Sequence, residues 1–154
     1  MEYIQANKDI VSEGCVFCAV LAGEASEEER ILHRGEHAFV TPAKYPYNPG
    51  HLLVLPNRHV GELEELTADE SAEIAVLLQR SIRALREASD PHGFNVGLNL
   101  GRVAGAGIPE HLHWHVVPRW GGDTNFMPVI GETRVLPELL VETYRKLLPL
   151  FEDD

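Results

Sequence analysis

Residues 111–117 read His-Leu-His-Trp-His-Val-Val, three histidines in strict alternation with apolar residues. Successive side chains of a β-strand point to opposite faces, so this period predicts a strand over Leu112–Val117. His111, His113 and His115 then share one row, and Leu112, Trp114 and Val116 share the other face. At a rise of about 3.3 Å per residue the row is about 13 Å long, with an imidazole on each side of its middle member. Three readings are open at this point. The row can be a strand that half-exposes its histidines. It can be a catalytic zinc site, since alternating histidines on a strand can ligate one metal. Or it can be a nucleophilic site built on the middle imidazole, which at a free pKa of about 6.5 carries a bare lone pair at neutral pH and needs no separate base.

Upstream of the row runs Asn99–Glu110, Asn-Leu-Gly-Arg-Val-Ala-Gly-Ala-Gly-Ile-Pro-Glu. Its glycines let backbone N–H groups come close to a phosphate, although the Gly-Lys-Ser/Thr of a Walker A loop is absent. Farther upstream, Thr67 and Glu70 form a Thr-x-x-Glu capping box that opens a helix running to about Ala88. Ile74, Leu77, Leu78, Ile82 and Leu85 fall on one face of it, and Asp90-Pro91-His92-Gly93 ends it. A second helix is expected over Glu138–Leu148, with Leu139, Leu140, Tyr144, Leu147 and Leu148 apolar. Further strands are expected at Ile31–Arg34, Ala38–Thr41, Leu52–Leu55 and Phe94–Leu98, separated by turn-rich segments. Together these elements predict an α+β sheet with a helix against one face.

The chain has 154 residues and a formal net charge of −11, from 13 Lys and Arg against 24 Asp and Glu. The length suits one domain with a genuine core. The acidity argues against DNA or RNA as a partner, because polyanion binding needs clustered cations. A nucleotide is small enough for local donors to hold. The acidic runs at Glu24–Glu29, Glu62–Glu73 and Glu152–Asp154 read as solvated faces. The first ten residues contain no apolar h-region and no apolar run is long enough to span a bilayer, so a cytoplasmic protein with no membrane partner is expected.

The row His-Leu-His-Trp-His-Val-Val resembles the histidine triad (HIT) pattern, His-φ-His-φ-His-φ-φ with φ apolar, at every position. Pro118–Phe126, Pro-Arg-Trp-Gly-Gly-Asp-Thr-Asn-Phe, is similar to the continuation in dinucleoside polyphosphate hydrolases and phosphorylases of that superfamily. Pro49-Gly50-His51 and the later Pro-x-x-His ending at His59 match as well. The resemblance covers roughly Gly14–Phe126, giving a single HIT domain over 1–154 with a core of 14–126 and a C-terminal extension of 127–154. It implies a mostly antiparallel five-stranded sheet with one long helix and a C-terminal helix, paired as a homodimer.

The resemblance also implies roles. His113 attacks the α-phosphorus of a nucleotide, and phosphate or water resolves the nucleotidyl-His113 intermediate. His115, as an imidazolium, donates to a phosphate oxygen or to the leaving group. His111 supports the nucleophile through its backbone carbonyl. Asn99 is a phosphate-side amide, and Gly105 and Gly107 offer backbone donors, Gly107 standing where related hydrolases have Gln. Val16, Phe17 and Val20 sandwich the base. The family's ribose-binding acid or amide falls at Ala43, which leaves Lys44 or Asn48 to compensate. His51 is either structural or near the phosphates. Trp120 is read as a substrate-side aromatic, and Trp114 as packing.

Cys15 and Cys18, as Cys-Val-Phe-Cys, admit three readings: a redox pair, half of a zinc site, or buried thiols. A thioredoxin-like pair needs a preceding βα unit that Ile10–Gly14 does not offer. A closed zinc site needs four ligands. The resemblance to bacterial HIT proteins with a Cys-x-x-Cys implies that His59 and His111 complete a structural Zn²⁺ site with Cys15 and Cys18. His33, His37 and His92 read as surface residues. The expected substrate is a dinucleoside polyphosphate, such as diadenosine tetraphosphate or triphosphate. Rival readings are a nucleoside phosphoramidate hydrolase, a nucleotide-binding module with weak catalysis, and a zinc hydrolase using all three triad rings.

Overall fold

A computed structural model describes residues 14–23, 30–123 and 139–152. Among the described residues five strands form one sheet: β1 His33–Arg34, β2 Ala38–Pro42, β3 Leu52–Pro56, β4 Gly93–Leu98 and β5 Trp114–Arg119. Their order across the sheet is β1-β2-β3-β5-β4, and every neighbouring pair is antiparallel. The helices are α1 Val16–Ala22, α2 Ala68–Ser89 and α3 Leu140–Leu147, with a last turn at Pro149–Glu152. This is the expected α+β, five-stranded antiparallel arrangement.

The long helix begins where its capping box placed it. Glu70 N–H donates to Thr67 Oγ1 at 3.1 Å, and Thr67 N–H donates to Glu70 Oε2 at 2.8 Å. These bonds satisfy two of the N–H groups that a helix start leaves open. At the other end Asp90 takes a left-handed conformation, φ 43°, and donates its N–H to the Arg86 carbonyl. Ile74, Leu77 and Leu85 are buried, with Leu78 and Ile82 partly so. They meet Ala38, Val40, Leu52, Val54, Trp114 and Val116, one face of the sheet, joined by Tyr144 and Leu147 of α3. Each such aliphatic or aromatic side chain contributes about 1.5–3 kcal/mol by leaving water.

The opposite face carries Phe39, Leu53 and Leu55, packed with Ile31 and Ala43 and covered by Phe17, Val20 and Leu21 of α1. β3 is therefore buried on both sides, which explains its unbroken apolar run Leu-Leu-Val-Leu.

Three expected starts each move two residues along the chain, while other ends shift by one or two. β1 is only two residues long, and Ile31 and Leu32 sink into the core ahead of it, Leu32 N–H still reaching the Val40 carbonyl. β5 starts at Trp114, not Leu112: its last pair with β3 is Val54↔Trp114, and Leu112 N–H turns instead to the Val60 carbonyl at 2.8 Å. The C-terminal helix starts at Leu140; Leu139 precedes it with extended backbone and stays exposed. Glu138, the acidic run 24–29 and the Thr124–Phe126 end of the family-like run lie outside the described residues. No helix among the described residues is long and apolar enough to cross a membrane.

Candidate active site and metal centre

The early end of β5 splits the histidine row. His111 lies off the ladder, and its ring is fully buried against the cysteines. His111 Nδ1 is 3.5 Å from both Cys15 Sγ and Cys18 Sγ, and His59 Nδ1 is 3.4 Å from Cys18 Sγ. The four donor atoms lie within 4.8 Å of one another. A zinc tetrahedron with Zn–S of about 2.3 Å and Zn–N of about 2.0 Å has S···N edges of about 3.6 Å, so the donor set fits that ion. The tautomer fits too. His111 Nε2–H donates to the Pro56 carbonyl at 2.9 Å, which leaves Nδ1 with its lone pair facing the thiols. The Cys18 thiol hydrogen bond holds Cys15 well below the usual thiol range, against the opposing effect of burial, and His111 adds to it. A thiolate is the form that binds metal.

His113 and His115 do share a side, with ring centroids 5.2 Å apart. His113 Nδ1–H donates to the His111 carbonyl at 2.8 Å. Its Nε2 therefore carries the lone pair. Phe17 packs on the His113 ring at 5.0 Å and edge-on to His111 at 5.7 Å, bridging His113 and the Cys₂His₂ cluster. The donor atoms of His111, His113 and His115 do not come together as a metal-sized group. Among the described residues the Cys₂His₂ set is the one cluster arranged for a metal, which removes the three-histidine zinc site.

His115 is fixed from behind by His51. Tyr47 N–H donates to His51 Nδ1 at 3.1 Å, so the His51 proton sits on Nε2. That proton faces His115 Nδ1 at 2.9 Å, so the His115 proton sits on its own Nε2. Burial pushes His51 down to about 3, with the neighbouring His115 and His113 adding. Burial, then His113, lowers His115 as well. Both effects disfavour the imidazolium expected at His115, while its Nε2–H stays free to donate. His51, half structural in the sequence reading, is a buried link in this chain.

The remaining expected contacts divide. Phe17 and Val20 pack on the α1-covered face, whereas Val16 is 55% exposed and outside that cluster. Ala43 is buried in the same cluster, and Lys44 is exposed beside Tyr45. Asn48 does not reach for a ribose: its amide donates to the Pro118 carbonyl at 2.9 Å and to Asp123 Oδ2 at 2.8 Å. Gly105 N–H is taken by the Arg102 carbonyl, so this glycine serves its loop by a φ of 100° rather than as a free donor. The Asn99 amide lies against it, 3.5 Å from where a Cβ would stand. Gly107 is exposed, with open space around it. Trp120 is a correction. Alternation along β5 sends His115, Val117 and Arg119 to the site face and Val116, Pro118 and the following Trp120 to the helix face. There it lines a separate cavity with Leu85, Ala88 and Thr143.

Beside His115 a cavity of about 500 Å³ opens over β4 and β5, lined by Tyr47, Asn95, Gly97, Asn99, Val117 and Arg119 among others. Arg119 grips Asp123 through Nε and Nη2, at 2.8 and 2.9 Å, and donates to Asn95 Oδ1 at 2.7 Å. Tyr47, Asn95, Gly97, Arg119 and Asp123 were not singled out from the sequence. The i,i+4 spacing of Arg119 and Asp123 signals a pair only on a helix, and Arg119 ends a strand, so the sequence carried no local sign of their contact; Tyr47 lies inside a segment read only as a turn.

The HIT domain family matches residues 24–122. The chain is 54% identical over 123 residues to an AP-4-A phosphorylase of Mycobacterium tuberculosis, covering 80% of this chain and 63% of that relative. It thus spans less than two thirds of that relative's length. It is 31% identical over 109 residues to an uncharacterized HIT-like protein of Methanocaldococcus jannaschii, covering 71% of this chain and 81% of that one. Among solved structures, a Zn-bound histidine triad family protein from Mycobacterium smegmatis superposes with a TM-score of 0.71 at 29% identity, over 90% of this chain and 93% of the other. A hypothetical histidine triad nucleotide-binding protein from Sulfolobus tokodaii strain7 gives 0.67 at 28% identity, over 89% of each. With a family match across most of its length and relatives of this likeness, the chain belongs to the HIT family.

Proposed function

We propose that the protein transfers a nucleotidyl group from a dinucleoside polyphosphate through nucleotidyl-His113. The observation that carries this reading is the His113 ring, whose Nδ1–H is engaged by the His111 carbonyl at 2.8 Å, leaving Nε2 bare beside His115. Nε2 attacks the α-phosphorus, an N–P bond forms, and the bond from phosphorus to the departing polyphosphate oxygen breaks. His115 Nε2–H donates to that oxygen or to a non-bridging one. An acceptor then attacks the same phosphorus, the N–P bond breaks, and the lone pair returns to Nε2. The likeness to a protein named AP-4-A phosphorylase favours inorganic phosphate as acceptor over water.

Zinc at Cys15, Cys18, His59 and His111 belongs to the same proposal, supported by the donor geometry and by the Zn-bound relative. With four protein ligands it supplies a cross-link and no open coordination position. The residues it joins are α1, the segment after β3 and the carbonyl that orients His113.

The decisive measurement is product analysis of diadenosine tetraphosphate with and without phosphate. ADP plus ATP, formed only with phosphate, is the expected result, and His113→Ala lowers the rate by about 10⁴-fold or more. AMP plus ATP regardless of phosphate makes water the acceptor. No cleavage of any dinucleotide overturns the reading. A homodimer is also proposed. β4 is an edge of the sheet, and Val96 and Leu100 on and after it are each 44% exposed, so a second copy can continue the sheet there. Light scattering is expected to give twice the chain mass, and Val96→Lys the single mass; a monomeric wild type refutes this part.

A further inference from the structure

We propose that Asn48, anchored by Asp123, is a positioning residue: it holds the turn ahead of β3 where His51 keeps the His115 proton on Nε2. This rests on the function proposed above, in which that proton is donated.

The turn is Asn48-Pro49-Gly50-His51. His51 N–H donates to the Asn48 carbonyl at 3.1 Å, Pro49 takes the second place, and Gly50 takes the third with a φ of 84°, the pattern of a type II turn. A turn fixes its own shape but not its place on the sheet, and two outside ties supply that. Gly50 lies so close to α2 that a Cβ there would come within 2.9 Å of Leu85 Cδ2. Asn48 makes the second tie, its amide donating to the Pro118 carbonyl at 2.9 Å and to Asp123 Oδ2 at 2.8 Å, groups 70 and 75 residues away. Asp123 is itself held still. Arg119 donates to both of its oxygens, at 2.8 and 2.9 Å, and Trp120 N–H donates to Oδ2 at 3.2 Å.

Both ends of this circuit lie on β5. The strand that carries His115 also grips, through Pro118, the turn that orients it. Between them stand Asn48, the Tyr47 N–H that donates to His51 Nδ1 at 3.1 Å, and the His51 Nε2–H that meets His115 Nδ1 at 2.9 Å. The bond made by one ring nitrogen decides where the other keeps its proton. If the turn drifts, Tyr47 N–H leaves His51 Nδ1 and both rings are free to change tautomer. Part of the His115 population then turns a lone pair, not a proton, toward the departing oxygen.

Turnover of diadenosine tetraphosphate by Asn48→Ala, His51→Phe and the double variant tests this. Asn48→Ala is expected to lower kcat about tenfold and to leave KM within about twofold. In the His51→Phe background, where the relay is already broken, the same change is expected to cost less than about twofold. Equal factors in both backgrounds overturn the proposal, because Asn48 then acts on the fold or on the substrate and not through His51. A raised KM with an unchanged kcat overturns it too. Asp123→Ala leaves the turn sequence intact and is the second variant should Asn48→Ala misfold; the same inequality is expected of it. Nitrogen-15 NMR of the histidine rings reads the relay without turnover. His115 is expected as one tautomer, protonated on Nε2, in wild type and as a mixture in the folded variant. A single Nε2–H tautomer in both overturns the positioning whatever the activity. Wild-type protein that cleaves no dinucleotide, while the rings change as expected, overturns the function and upholds the positioning.

Discussion

The two ends of the histidine row are made from the same residue type and differ in almost everything else. At the His111 end, Cys18 and His111 have no exposed surface, and four donor atoms crowd within 4.8 Å. At the His115 end, an open cavity is edged by a tyrosine that is mostly exposed and by a guanidinium whose charge Asp123 matches. His113 stands between the two: its Nδ1 proton is held by the His111 carbonyl, and its ring lies 5.2 Å from that of His115. In the proposed reaction the closed end fixes His113 as nucleophile and the open end faces the substrate. Identical side chains take unlike work because the backbone joins the ladder only at Trp114, after His111 and His113 have passed.

Removing metal attacks the closed end and is the largest expected effect. Freshly purified protein is expected to hold about one zinc per chain. Cys18→Ser, or chelation, leaves the remaining buried donors without a partner and unties α1 from the segment after β3. The expected loss is roughly 5 kcal/mol or more, a fall in Tm of more than about 10 °C for a chain of this size. Activity falls with it, since the carbonyl that orients His113 belongs to a ligand. Metal analysis and a thermal melt check this together. Metal-free protein that keeps its Tm and its full kcat would erase the distinction between the two ends.

The sequence showed the closed end better than the open one, for a physical reason. The proposed metal ligands and nucleophile are defined by residue type: Cys15, Cys18, His59, His111 and His113 carry chemistry wherever they are found, and the family resemblance grouped them. The α2 capping box and apolar face were equally legible, because helix starts and periodicities are local. The open end is defined by backbone placement instead. Whether Trp120 faces the site depends on where β5 begins and ends; with the strand at Trp114–Arg119 it falls on the helix face. Whether Asn48 reaches a substrate depends on Asp123, 75 residues away. Gly97 comes to line the cavity beside His115 only through the pairing of β4 with β5. None of these pairings leaves a mark on a single residue's neighbours in sequence.

A smaller effect sharpens the open end. His51 touches no substrate in this account; it is a positioning residue that fixes the His115 proton on Nε2. His51→Phe removes that constraint and is expected to lower kcat by about 10–100-fold, as loss of a residue behind a reacting group commonly does. His51→Gln is expected to keep more activity, because its amide can accept from Tyr47 N–H and donate to His115 Nδ1. The same pair of variants carries a pH signature. His51 is held down to about 3 in the folded protein, against about 6.5 when unfolded. Between those values the unfolded chain binds the extra proton, so this stabilisation is complete above about pH 6.5 and is lost as pH falls toward 3. The slope is at most about 1.4 kcal/mol per pH unit. Glu70 and Asp123, both lowered by arginine hydrogen bonds, add their own losses at the acid end, so the informative window is pH 6.5 to about 4.5. There the Tm of wild type is expected to fall more steeply than that of His51→Gln. Equal slopes would mean that His51 accepts its proton in the folded state as readily as in the unfolded one. The His51–His115 link would then take up charge as pH falls, and the proton placement that sets the open end apart would be lost.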